Sequence, residues 1–118
     1  MHRLSLLILA LPLLLPSISR AEELHVPGEH ATIKAAITAA KDGDHILIAP
    51  GTYIERLNSK GKAITIQGTR DSDGALATTM DAQQHDDVFE INSGEGNGTV
   101  IKDLMITGCV VTGIYTIN

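Results

Sequence analysis

Apolar residues at Ile33, Ala36, Ile37 and Ala40 recur at i, i+3, i+4 and i+7, the stripe of one helical face. Thr32 is the expected N-cap, and Gly43, after Asp42, is the glycine expected just past the helix end. A helix of about ten residues does not persist alone in water. Its stripe must therefore lie on other chain, and the surface expected for it is the open end of a first coil, as an N-terminal lid. After Gly43 the pattern changes from the helical period to alternation. Ile46/Ile48, Ile64/Ile66, Phe89/Ile91 and Leu104/Ile106 are expected to point inward, with Thr65, Gln67, Glu90, Met105 and Thr107 pointing out.

The apolar runs are short: Ile46 to Ile48, Tyr53 to Leu57, Ile64 to Gln67, Val88 to Ile91, Val100 to Thr107 and Ile114 to Ile117, separated by Gly, Asp, Asn, Ser or Lys. His25-Val26-Pro27-Gly28 reads as a short extended piece ending in a turn. A polar stretch between Gly68 and Asp87 reads as a loop, with Thr79-Met80-Asp81 re-entering as a minor strand, and Ser93 to Gly98 as a second turn. Strands this brief cannot bury an apolar face alone and must stack on further turns of chain. The pattern therefore predicts an all-β solenoid, a parallel β-helix with an N-terminal capping helix. At roughly 20 to 45 residues per repeat, two to three coils follow the lid. Ile114 to Asn118 reads as a strand with no cap after it, which predicts an uncapped C-terminal end and either a longer gene or end-to-end self-association.

The first 21 residues stand apart. Arg3 precedes an apolar run from Leu4 to Leu15, and Ser19 and Ala21 are small residues where a signal peptidase needs them, the pattern of a secretory signal peptide. The run is about half of the roughly 20 residues needed to span a bilayer, and Pro12 interrupts it. The expected division is a signal peptide over 1–21 and one domain over 22–118, placing the chain outside the cell, in a periplasm or on a cell surface, with no membrane span in the mature part. Without Arg3 and Arg20, seven Lys and Arg face fourteen Asp and Glu. That acidic balance disfavours nucleic acid and anionic lipid, and disfavours a polyanionic glycan unless a cation such as calcium stands between. With no Trp, one Phe and two Tyr, the core must come from Ile, Val, Leu and Ala. Cys109 is the only cysteine, so no intramolecular disulfide forms.

Three segments carry a resemblance to a known family. Thr32-Ile33-x-x-Ala36-Ile37, Gly43-Asp44-x-Ile46-x-Ile48-x-Pro50-Gly51-Thr52-Tyr53-x-Glu55 and Ile64-Thr65-Ile66-Gln67-Gly68 resemble the opening of pectin methylesterases and of exported β-helix repeat proteins in the pectin lyase-like superfamily. Val88 to Gly98 with Leu104-Met105-Ile106-Thr107-Gly108 resembles the repeat proteins more closely. The resemblance covers Val26 to Asn118 and implies a right-handed parallel β-helix and export. It withholds an active site. The esterases carry their carboxylates, glutamines and arginine on strands after the equivalent of Thr107, where eleven residues remain here and Thr112-Gly113-Ile114-Tyr115 lacks the first glutamine.

No residue is nominated as catalytic, cofactor-binding or metal-ligating, and no cofactor is expected, with calcium alone left open. Asp81, His85, Asp86 and Asp87 form the densest group of donors, suited to a divalent cation or an acid/base pair, but one solvated loop explains them. Asp71-Ser72-Asp73-Gly74 lacks the first and last acidic ligands of a calcium loop, where Thr69 and Met80 stand, and reads as a turn. Glu55 is a lone outward carboxylate beside Tyr53, without the second carboxylate that glycoside hydrolysis needs. His25, His30 and His45 have no metal-ligand spacing, and Cys109 has no neighbouring histidine to activate it. Asn97-Gly98-Thr99 is a glycosylation sequon marking an exposed turn. The first functional expectation is a non-catalytic exported module that binds or scaffolds at a polysaccharide or cell surface. The alternatives are the N-terminal part of a pectinesterase or polysaccharide lyase with catalytic coils downstream, and a purely structural surface repeat.

Overall fold

Thr32 begins the single helix among the described residues. Its backbone is extended and its hydroxyl accepts the Ala35 N–H, so α1 (Ile33–Ala39) starts on a side-chain cap. The helix ends at Ala39, with Ala40 as its C-cap. It is thus shorter than the stripe suggests, because Ala40 already carries extended backbone. The computed structural model describes residues 20–84, 88–92, 98–109 and 114–117. Residues 1–19 of the expected signal peptide lie outside them.

Among the described residues ten strands accompany the helix: β1 (Glu23–Val26), β2 (His45–Ile48), β3 (Gly51–Tyr53), β4 (Leu57–Asn58), β5 (Thr65–Gln67), β6 (Thr78–Asp81), β7 (Phe89–Asn92), β8 (Val100–Lys102), β9 (Met105–Thr107) and β10 (Ile114–Ile117). They form three sheets, ordered β1-β2-β5-β8, β3-β6-β9 and β4-β7-β10, and every strand pair is parallel. From β2 onward the chain visits the three sheets in rotation. Register puts like on like: Leu24, Ile46, Ile66 and Ile101 are successive partners in the first sheet, and Val26 lies beside Ile48. Leu57 pairs with Phe89 in the third sheet, while Thr78 and Met80 supply the buried positions of β6.

The expected all-β solenoid, a right-handed parallel β-helix with a capping helix and an uncapped C-terminal end, is corrected by this arrangement. The described chain is a small α/β-type domain, with one helix and short parallel strands in three small sheets. The helix is not an accessory lid on an all-β body. Ile33, Ala36 and Ile37 are buried in the same core as the strand residues, and α1 packs on β1, β2 and β4. Alternating apolar positions fix which face of each strand is buried, and they do not fix which strands pair or how many equivalent turns of chain follow.

Two runs read as single strands are each divided. Ile54 to Arg56 turn the chain between β3 and β4, and Asp103, at φ +57°, separates β8 from β9. Both breaks redirect the chain from one sheet to the next, a requirement of tertiary structure that alternation does not carry.

The start of β1 is fixed by Asp44. This buried carboxylate accepts Glu22 N–H at 3.0 Å and Lys41 N–H at 2.8 Å. The Glu22 N–H, then the Lys41 N–H, hold its pKa below the ordinary value against the opposing effect of burial, with help from the charges of Lys41 and Lys62. A folded-state pKa below the unfolded one gives stability that is complete above the ordinary aspartate pKa and is lost as pH falls through the lowered value. Asp44→Asn is therefore expected to be less stable than the wild type at neutral pH, with the gap closing on acidification. Urea midpoints measured from pH 7 to pH 3 check this, and a gap that stays constant with pH contradicts it.

Candidate functional site

Ile54-Glu55-Arg56 lies between β3 and β4, outside the strand ladders. The Glu55 carboxylate turns to the helix, where Oε2 accepts Ile33 N–H and Oε1 accepts Lys34 N–H, both at 3.0 Å. The outward glutamate of the sequence is thus a cap on two of the N–H groups that a helix start leaves open. Beside it the Tyr53 hydroxyl donates to Ala49 O at 2.9 Å, and its pKa is raised by burial and then by the Glu55 charge. Ile54 remains 56% exposed, a large aliphatic side chain on the surface.

Arg56 is the common wall of two clefts. One, of about 160 Å³, is lined by Ile54, Glu55, Arg56, Asp81, Ala82 and Gln83. The other, of about 230 Å³, is lined by Arg56, Leu57, Asn58, Val88, Phe89 and Glu90. The floor of the first is held by β9 and the residues after it: Thr107 O accepts Ala82 N–H at 2.9 Å, and Gly108 O accepts Gln84 N–H at 2.7 Å. Asp81 Oδ1 accepts Gln83 N–H at 2.8 Å, folding the end of β6 back on itself. Gly108 sits at φ +75°, and a Cβ there would collide with Asp81 Oδ1, so only glycine lets the chain pass under this cleft. In the second cleft Asn58 Nδ2 donates to Glu90 Oε2 at 3.3 Å across paired strands. Around the pair of clefts stand one guanidinium, three carboxylates and two carboxamides, beside an exposed aliphatic side chain. Those groups can exchange hydrogen bonds with hydroxyls while an apolar face rests on Ile54.

A second polar surface crosses the first sheet. His45 Nε2 lies 2.7 Å from Gln67 Oε1, Gln67 Nε2 donates to Asp103 Oδ2 at 3.1 Å, and Arg70 Nε meets Asp103 Oδ1 at 2.9 Å. Arg70 also donates to Gly74 O at 2.6 Å. This row ties β2, β5 and the β8–β9 corner together. Each planar group in it is engaged by the next, so it braces the sheet.

Of the donors grouped in the sequence, Asp81 lies at the first cleft, while His85, Asp86 and Asp87 lie outside the described residues. Asp71 Oδ1 accepts Asp73 N–H and Ala75 N–H, both at 2.9 Å, and Gly74 N–H returns to Asp71 O at 3.0 Å, so this segment is an exposed Asx turn. His25 lies 3.6 Å from Glu23 on the exposed face of β1, and His30 is half-buried. Cys109 is half-buried against the core with a free thiol. Asn97 of the sequon and Thr112-Gly113 lie outside the described residues. Among those residues no group of three or more His, Cys, Asp or Glu side chains is placed to hold a metal ion, and no helix is long and apolar enough to cross a membrane.

Arg56, Asn58 and Gln83 were not singled out by the sequence. They stand at separate points of the chain with no recurring spacing, and only the stacking of β4 on β7 and of β6 on β9 gathers them. No family model, no curated protein and no solved structure matches this chain.

Proposed function

We propose that this chain is an exported module that binds a neutral polysaccharide at or near a cell surface, using the paired clefts around Arg56. The observation that carries the reading is the composition of their walls. Arg56, Asn58 and Gln83 line the clefts with N–H groups, Asp81 and Glu90 with carboxylate oxygens, and Ile54 with an exposed aliphatic face. Sugar rings present the matching chemistry, with hydroxyls at the rim and a C–H face. The charge argues for a neutral ligand. Three carboxylates around one guanidinium, on an exported part with seven Lys and Arg against fourteen Asp and Glu, repel uronate and sulfate groups.

Titration calorimetry with soluble xyloglucan, galactomannan, mixed-linkage glucan and polygalacturonate, all in EDTA, tests the reading. Binding to at least one neutral glycan is expected, with Arg56→Ala weakening it by about tenfold or more, the loss typical of a central arginine contact. Polygalacturonate is expected not to bind. Absence of binding to every neutral glycan, or affinity for polygalacturonate in EDTA, overturns the proposal.

A further inference from the structure

Glu22 enters the fold through its backbone. Its N–H donates to Asp44 Oδ1 at 3.0 Å, and its carbonyl accepts His45 N–H at 2.9 Å, at the head of the β1–β2 ladder. Asp44 is only 5% exposed, and its other oxygen is taken by Lys41 N–H. Arg20, Ala21 and Glu22 are exposed as residues. Ser19 and Ala21 are the small side chains that precede the expected cleavage point.

We infer that removal of the export signal between Ala21 and Glu22 converts the Glu22 N–H into an α-ammonium seated on the Asp44 carboxylate, so that processing itself tightens the fold. The inference rests on the export reading above. In the step, water adds across the Ala21–Glu22 peptide bond. Ala21 leaves with the new carboxylate, and Glu22 keeps the amine, which takes up a proton at neutral pH. A neutral donor on a buried carboxylate thereby becomes a charged one, the stronger form of hydrogen bond. The donor is already in place, so little further ordering is needed. The charged groups around the new ammonium are Asp44 itself, Lys41 and Lys62 acting on Asp44, and the carboxylates of Glu22 itself and of the next residue, Glu23. Asp44 is the group in contact with it, so the ammonium is favoured and its pKa is raised. A raised folded-state pKa gives stability that is complete below the ordinary α-amino value of about 8 and is lost as pH rises through the folded-state value.

The test compares the chain beginning at Glu22 with the same chain acetylated at that nitrogen. At pH 6 the free chain is expected to have a folded-to-unfolded ratio about tenfold higher, the step from a neutral to a charged donor. The advantage should fade above the raised pKa. In Asp44→Asn the two forms should unfold together. Equal midpoints for free and acetylated wild-type chains at every pH overturn the ion pair. Should Asp44→Asn fail to fold, the pH dependence of α-amine acylation in the wild type decides: a raised pKa supports the pair, and an ordinary one overturns it. The mass of the exported protein separates the two layers. A first residue other than Glu22 overturns the processing step and the export site with it, whereas equal stabilities overturn the ion pair and leave export standing.

Discussion

Gly68→Ala is expected to lower the stability of this domain by about 3 kcal/mol, the upper end of the cost of overpacking a filled core. A Cβ at Gly68 would run into the backbone oxygen of Asp103 and come within 2.7 Å of Thr78 Cβ and Leu104 Cδ2. Only the leucine methyl can yield cheaply. Asp103 sits in left-handed backbone between β8 and β9, and Gly68 N–H is bonded to Lys102 O at 3.0 Å, so the chain cannot retreat without opening the β5–β8 edge. Thr78 is locked as well. Its hydroxyl donates to the carbonyls of Ile48 and Ala49 and accepts Thr69 N–H at 2.8 Å. Gly74→Ala is the control, since Gly74 has φ +84° and nothing within 4 Å of the added carbon. It should cost about 1 kcal/mol, the left-handed penalty alone. Urea unfolding of both variants ranks them, and a Gly68→Ala midpoint equal to or above that of Gly74→Ala contradicts the argument.

The parts of this fold legible in the sequence are those set by a local period. Ile33, Ala36 and Ile37 mark the buried face of α1, Thr32 marks its cap, and Ile46 and Ile66 mark an inward ladder, because one pattern places each side chain without reference to the rest of the chain. What the period misses is decided at a distance. β1 pairs with β2 across the whole helix, and its four residues contain only two buried positions. The fold class is hidden from the period for a related reason. Short alternating strands are common to several architectures, and the contribution of α1 to the shared core appears only when the strands it covers are known. The clefts at Arg56 were illegible because their walls come from turns and strand ends. The capping role of Glu55 is illegible in the sequence because its partners, the N–H groups of Ile33 and Lys34, lie 22 and 21 residues away.

Glu55 belongs to a pair of long-range contacts that leads to the second large effect. At the opposite end of α1, Lys62 Nζ donates to Ile37 O and Ala40 O at 2.7 Å each and to Thr38 O at 3.1 Å. A seven-residue helix is too short to hold itself, so α1 is gripped by an anion at its start and a cation at its end, both supplied by chain that follows it. The signs match the helix dipole. Lys62→Met keeps the aliphatic stem and removes the ammonium, so Thr38 O and Ala40 O lose this donor and Ile37 O keeps only the Ala40 N–H. The expected loss is about 1.5–3 kcal/mol, the range for hydrogen bonds to charged groups. Glu55→Ala should cost less, because Thr32 still caps the same end, and Glu55→Gln less again, since one amide oxygen can still accept. Ile33 and Ile37 are buried against the strands, so loosening the helix exposes core. Amide exchange across residues 33–39 in Lys62→Met should therefore accelerate before that of β2 and β5. If the Lys62→Met helix exchanges no faster than wild type and unfolds at the same denaturant concentration, the contacts at its C-terminal end contribute nothing, and packing alone holds α1 in place.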